Sequence, residues 1–156
     1  MPKHLSWVVP ALLALAGTAA AQSPEPVTII RPAKPADTAV YRAGAGGHFL
    51  LKALVNGVPI DFVVDTGATE VALTMADARA VGLHPGNLVF DQVAHTANGD
   101  AREAAVRLHE IRLGGFATND VPALVGPGLG SSLLGMSFLS RLRHFEMRDG
   151  KLVIGW

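Results

Sequence analysis

Two apolar runs, His48 to Val55 and Val58 to Val64, meet across Asn56-Gly57, and this stretch constrains the fold more than any other part of the chain. Asn-Gly between apolar runs is the strongest short-range hairpin signal, because a type I′ turn needs φ > 0 at both central residues. On the second strand Val58, Ile60, Phe62 and Val64 share one face by the two-residue period of extended chain. That strand runs straight into Asp65, so a carboxylate stands where a core strand ends and a loop begins.

The following residues alternate between short strands and short helices. From Leu73 to Leu83, Thr74 and Asp77 have the spacing of a helix N-terminal cap and Gly82 that of a stop, which predicts a helix of about two turns. Val89 to Ala97 and Ala101 to Leu108 predict a second hairpin around Asn98-Gly99. A further strand is expected over Glu110 to Leu113, with Gly114-Gly115 turning the chain into Phe116 to Val125. Leu134, Phe138, Leu139 and Leu142 recur at helical spacing after the glycine-rich residues 126–130, predicting a helix with a buried face. Phe145 to Met147, a turn at Asp149-Gly150 and a strand from Leu152 to Trp156 close the chain.

The N-terminal third has a different character. Lys3 and His4 precede an apolar run from Leu5 to about Ala16 and the small residues Ala19-Ala20-Ala21, the layout of a secretory signal peptide over 1–21 with cleavage after Ala21. An uncleaved membrane anchor is the alternative, and Pro10 interrupts a run already short for about 30 Å of hydrocarbon. Residues 22–45, with Pro24, Pro26, Pro32 and Pro35, read as an extended linker, either a passive spacer or a pro-segment. The folded domain is expected over 46–156, a length that suits one core rather than two.

Composition removes several classes of chemistry. Without Lys3 the chain holds twelve Lys and Arg against thirteen Asp and Glu, so nothing electrostatic points to nucleic acid or anionic lipid. Membrane association follows only if the N-terminal run stays attached. The chain has no cysteine, which excludes disulfides, thiolate nucleophiles and Cys-ligated zinc. Export without disulfides suits a bacterial periplasm. The six histidines show neither His-x-His nor His-Glu-x-x-His spacing, and Ser131 and Ser132 lack a Gly-x-Ser-x-Gly frame. Residues 126–130 lack the spacing and lysine of a phosphate loop, and Pro127 has no amide to donate. Arg102, Arg107 and Arg112 lie along strands among acids, the pattern of a solvated face.

Asp65 carries the chemistry. A catalytic carboxylate must be fixed, partly desolvated and open to a substrate backbone, and Gly67 allows that approach. An Asx-type turn also accounts for Asp-Thr-Gly taken alone. The wider pattern decides between them. Val63-Val64-Asp65-Thr66-Gly67-Ala68, followed after a flap-sized hairpin by Leu133-Leu134-Gly135, resembles the retropepsin-like aspartic proteases. Gly47-His48-Phe49, Val55-Asn56-Gly57 and the run from Asp65 to Leu83 are similar in particular to a bacterial single-domain branch with an export signal.

That resemblance implies an all-β, closed barrel-like acid-protease fold with two short helices and one lobe per chain. It implies that Asp65 is the catalytic residue, that Thr66 bonds across a dimer, and that Gly67 and Ala68 meet the substrate backbone. It makes the hairpin around Asn98 and Gly99 the flap, and Leu133 to Gly135 a strand supporting the Asp loop. Read from the residues alone, Leu133 and Leu134 are core positions and Gly135 a helix start. Peptide hydrolysis by this route needs two carboxyls, one ionised and one protonated, and one lobe offers one Asp-Thr-Gly. A homodimer pairing Asp65 with its copy is therefore expected, acting on a peptide or protein with an activated water and no cofactor or metal. The rival is a non-catalytic peptide-binding or assembly module on the same fold.

Ala68 adds an expectation. A Ser or Thr in this place can donate a hydrogen bond toward the catalytic carboxylate and favour its charged form, whereas Ala cannot. Ala68→Ser is expected to move the pH–rate profile toward lower pH; a profile unmoved or moved upward would refute this.

Overall fold

The computed structural model describes residues 37–44, 46–96 and 99–156, so the expected signal peptide and Asn98 lie outside the described residues. The described residues belong to one compact unit, Pro32–Trp156. Its strands are β1 (Thr38–Arg42), β2 (Leu50–Val55), β3 (Val58–Val64), β4 (Val71–Thr74), β5 (Gln92–Thr96), β6 (Gly99–Leu113), β7 (Phe116–Gly126), β8 (Ser132–Leu134), β9 (His144–Arg148) and β10 (Lys151–Gly155). Two short helices, α1 (Met75–Ala80) and α2 (Met136–Leu139), interrupt them.

Alternation along β2 and β3 sends Leu51, Ala53, Val55, Ile60, Phe62 and Val64 inward, as the two-residue period requires. Asn56 and Gly57 take φ of 51° and 84°, the positive values of a two-residue hairpin turn. Asn56 does more than turn the chain. Its N–H donates to the Glu110 carbonyl (2.9 Å), its Oδ1 accepts the Glu110 N–H (3.1 Å), and its Nδ2 donates to the Val81 carbonyl (3.3 Å). The hairpin tip is thereby tied to β6 and to the end of α1.

Six strands run in the order β2-β3-β8-β4-β7-β6, and β6 returns to β2 through Leu54↔Arg112 and Val55↔Ile111. The result is a closed barrel, mostly β with two short helices, as expected. Phe62, Leu73, Leu108, Ile111, Leu113, Leu134 and Phe138 are fully buried, each worth about 1.5–3 kcal/mol of apolar burial. Phe116 meets Phe138 edge to face at 5.7 Å. β1, β10 and β9 form a separate three-stranded sheet in the order β1-β10-β9. Trp156, at the end of that sheet, covers the Gly114-Gly115 turn so closely that a Cβ on Gly114 would stand 2.7 Å from its Cη2.

Several expectations shift. Residues 38–42, read as linker, form β1 and pair with β10 from Thr38↔Gly155 to Arg42↔Lys151; the prolines stop at Pro35, and Thr-Ala-Val-Tyr is good strand sequence. Val71–Thr74 is a strand that the helix pattern hid, and Thr74 both ends it and caps α1 by accepting the Asp77 N–H (3.1 Å). The stretches expected as separate strands over 101–108 and 110–113 form one strand, β6, continuous from Gly99. The β5–β6 register pairs Thr96 with Gly99, so Gly99 opens β6 rather than forming the turn. Ser132 to Leu134 is strand, and the expected helix shrinks to the four residues of α2.

Candidate active site

Asp65 is placed by a strand pair rather than by its own loop. β8 runs parallel to β3 with Phe62↔Ser132, Val63↔Leu133 and Val64↔Leu134 in register, and the Asp65 N–H donates to the Leu134 carbonyl (3.2 Å). Beyond this the chain turns. The Ala68 N–H reaches the Asp65 carbonyl (3.4 Å), and the Gly67 N–H donates to Asp65 Oδ1 at 2.8 Å. That amide fixes the direction in which the carboxylate points. A Cβ on Gly67 would stand 3.2 Å from Oδ1, a tight approach that glycine avoids. Asp65 and Ala68 are half-buried, Thr66 and Gly67 exposed.

The return half of the loop is clamped by α2. The Met136 and Ser137 N–H groups donate to the carbonyls of Ala68 and Thr69, both at 2.9 Å. Ser137 Oγ accepts the Val71 N–H (2.9 Å) and donates to the Pro122 carbonyl (2.8 Å), joining the loop to β7. Ser132 ties β8 to α1: its Oγ donates to Asp77 Oδ2 (2.5 Å) and accepts the Thr74 N–H (3.1 Å).

Gly135 is the tightest point. Its φ of −91° suits any residue, but a Cβ there would lie 2.6 Å from the Glu70 carbonyl carbon and 2.8 Å from the Ala68 oxygen. The Leu133-Leu134-Gly135 run thus supports the Asp loop, as the resemblance implied, and Gly135 also stands at the start of α2, as read from the residues. Sequence reasoning meets Ser132 only as a serine without a nucleophile frame, and it misses Ser137. Nothing marks a serine as a linker of distant strands until the strands are in place.

Asp65 opens onto a cavity of about 630 Å³, whose walls include Ala68, Glu70, Leu129 and Leu133 from the barrel end. Gln92, Val93 and Ala94 of β5 with Glu103 and Ala105 of β6 form another part of the wall. The β5–β6 hairpin therefore lines the same space as the Asp loop. Gly99, expected in the flap, is exposed at the start of β6. Burial, and after it the like charge of Glu70, push the Glu103 carboxyl above its ordinary value. His48, His84, His109 and His144 are exposed, and among the described residues no three His, Asp or Glu side chains form a group that could hold a metal.

A closed barrel whose parallel strand pair ends in an Asp-Thr-Gly loop beside a hairpin-lined cavity defines an aspartic-protease architecture. Residues 51–141 match the family described as "gag-polyprotein putative aspartyl protease". The structure is similar to the crystal structure of a retropepsin-like aspartic protease from Rickettsia conorii, with a TM-score of 0.71 and 34% identity over 76% of this chain and 90% of that one. It shares its fold with the EIAV protease complexed with the inhibitor HBY-793, at a TM-score of 0.51 and 21% identity over 59% of this chain and 85% of that one. Among curated proteins it is 42% identical over 131 residues to an uncharacterized protein in the cobV 5′ region of Sinorhizobium sp.. It is also 39% identical over 118 residues to an uncharacterized protein of Rickettsia prowazekii (strain Madrid E). These matches cover 83% and 75% of this chain but 56% and 50% of the relatives, so the chain spans about half their length. The chain belongs to the retropepsin-like aspartic protease family.

Proposed function

We propose that the protein is an aspartic endopeptidase in which Asp65 of two identical chains forms the catalytic dyad. The observation that carries this reading is the fixed Asp65 carboxylate at a cavity large enough for a peptide side chain, in a chain with a single Asp-Thr-Gly. Two carboxyls brought close cannot both ionise readily, so one holds a proton while the other acts as base. The ionised member takes a proton from a bound water as that water attacks the peptide carbonyl carbon. The protonated member gives its proton to the carbonyl oxygen. Collapse of the tetrahedral intermediate returns a proton to the departing amine, and the roles exchange over the cycle. Thr66 is assigned the hydrogen bond across the dimer, Gly67 and Ala68 the substrate backbone, and the hairpin bearing Asn98 and Gly99 the flap over the peptide.

The signal-like layout of residues 1–21 supports action outside the cytoplasm, and export of a chain without cysteine suits a bacterial periplasm. The reading is tested by sedimentation run alongside cleavage of a peptide library over a range of protein concentration. Specific activity is expected to rise with the dimer fraction and to vanish for the monomer. Constant activity per chain while the dimer dissociates would refute the shared dyad.

A further inference from the structure

The cavity wall holds a group that hydrolysis does not use. Glu103 is 4% exposed, yet among the described residues its carboxyl accepts no hydrogen bond and forms no ion pair. The exposure it keeps opens on the cavity it lines. Room for it is made by Gly126, where a Cβ would stand 2.9 Å from Glu103 Oε1 and 3.1 Å from Leu129 Cδ1. Among the described residues no side-chain N or O atom is fully buried without a partner, so the Glu103 carboxyl meets the cavity and not the core; its charge is still costly in so enclosed a place, and Glu70 on the same cavity adds a like charge to that cost. No Lys, Arg or His is among the described residues lining the cavity to answer it.

The rest of the lining suits one kind of visitor. Ala68, Ala72, Ala94 and Ala105 leave width, and Leu124 and Leu129 offer apolar surface. A long alkyl stem ending in a cation fits such a wall, its methylenes against the leucines and its head toward the acids. We infer that Glu103 and Glu70 form a specificity subsite that takes a lysine or arginine side chain of the peptide substrate. The inference rests on the protease reading for its substrate, and on the unpartnered Glu103 in its Gly126 recess for its location. The incoming cation supplies the counter-charge and the donors that the fold withholds.

The test compares peptides that differ only in lysine against norleucine, and arginine against citrulline, at each position flanking the cleaved bond. Cleavage by the wild-type protein is expected to favour the cationic member by about tenfold at one position, the scale of one charge-assisted hydrogen bond. That ratio should fall to about one in Glu103→Gln, which keeps the side-chain shape, and be reduced in Glu70→Gln. The same peptides with a reduced, uncleavable amide are titrated into the wild-type protein by fluorescence anisotropy. Preferential binding of the cationic peptide without any hydrolysis would uphold the subsite while removing the proposed activity. Equal cleavage and equal binding of both members, or a preference unchanged in Glu103→Gln, would overturn the subsite even if the protein proves to be an active protease.

Discussion

Asp65→Asn is expected to lower kcat for peptide cleavage by about 10³-fold or more, within the range lost when a general acid–base is removed. The substitution is informative because it spares the loop. Asn keeps an oxygen that can accept the Gly67 N–H now held at 2.8 Å by Asp65 Oδ1, and the backbone bond from the Asp65 N–H to the Leu134 carbonyl does not involve the side chain. Only the ability to hold and release a proton is lost. Circular dichroism and the thermal midpoint should therefore match the wild type while turnover does not. Mixing the two proteins sharpens the result. If only wild-type pairs are active, activity after subunit exchange falls as the square of the wild-type fraction; if each chain works alone, it falls linearly. A linear fall, or cleavage that persists in the pure variant, removes the shared dyad.

The parts of this site that were legible in the sequence are those set by local rules. The β2–β3 hairpin follows from alternation and from an Asn-Gly pair whose φ values of 51° and 84° only a few residue types accept. The position of Asp65 at a strand end follows from the same run. Thr74 and Gly82 mark the ends of α1 by their own chemistry, as an N-cap and as a positive-φ stop. What sequence reading lost was decided by partners distant along the chain. Leu134, Phe138, Leu139 and Leu142 have helical spacing, and a three-residue strand inside such a pattern shows only when β3 pairs with it some seventy residues away. Glu103 read as one acid among the arginines of a solvated strand. Its Oε1 lies close to Gly126, a neighbour that local pattern along β6 does not report.

Gly135→Ala is expected to be the most damaging single-methyl change in the barrel. Ordinary φ at this residue means the objection is to volume and not to backbone conformation. The added Cβ would meet three backbone atoms of residues 68–70, including the Glu70 carbonyl carbon at 2.6 Å and the Ala68 oxygen at 2.8 Å. Backbone cannot swing aside as the end of a long side chain can, so the Asp loop and α2 must separate. Separation strains or breaks the bonds from Met136 N–H to Ala68 and from Ser137 N–H to Thr69, each worth about 1 kcal/mol, on top of about 1–3 kcal/mol for overpacking. A loop displaced by about 1 Å also misplaces Asp65, which alone can cost about 10²-fold in rate. The expected result is a loss of roughly 3–5 kcal/mol in urea unfolding and a parallel fall in activity. Gly86→Ala supplies the control, since a Cβ there meets nothing within 4 Å and should leave both measurements near wild type. Equal stability of the two variants would show that β8 and the Asp loop are not packed as tightly as the Gly135 contacts require, and the support assigned to Leu133-Leu134-Gly135 would go with it.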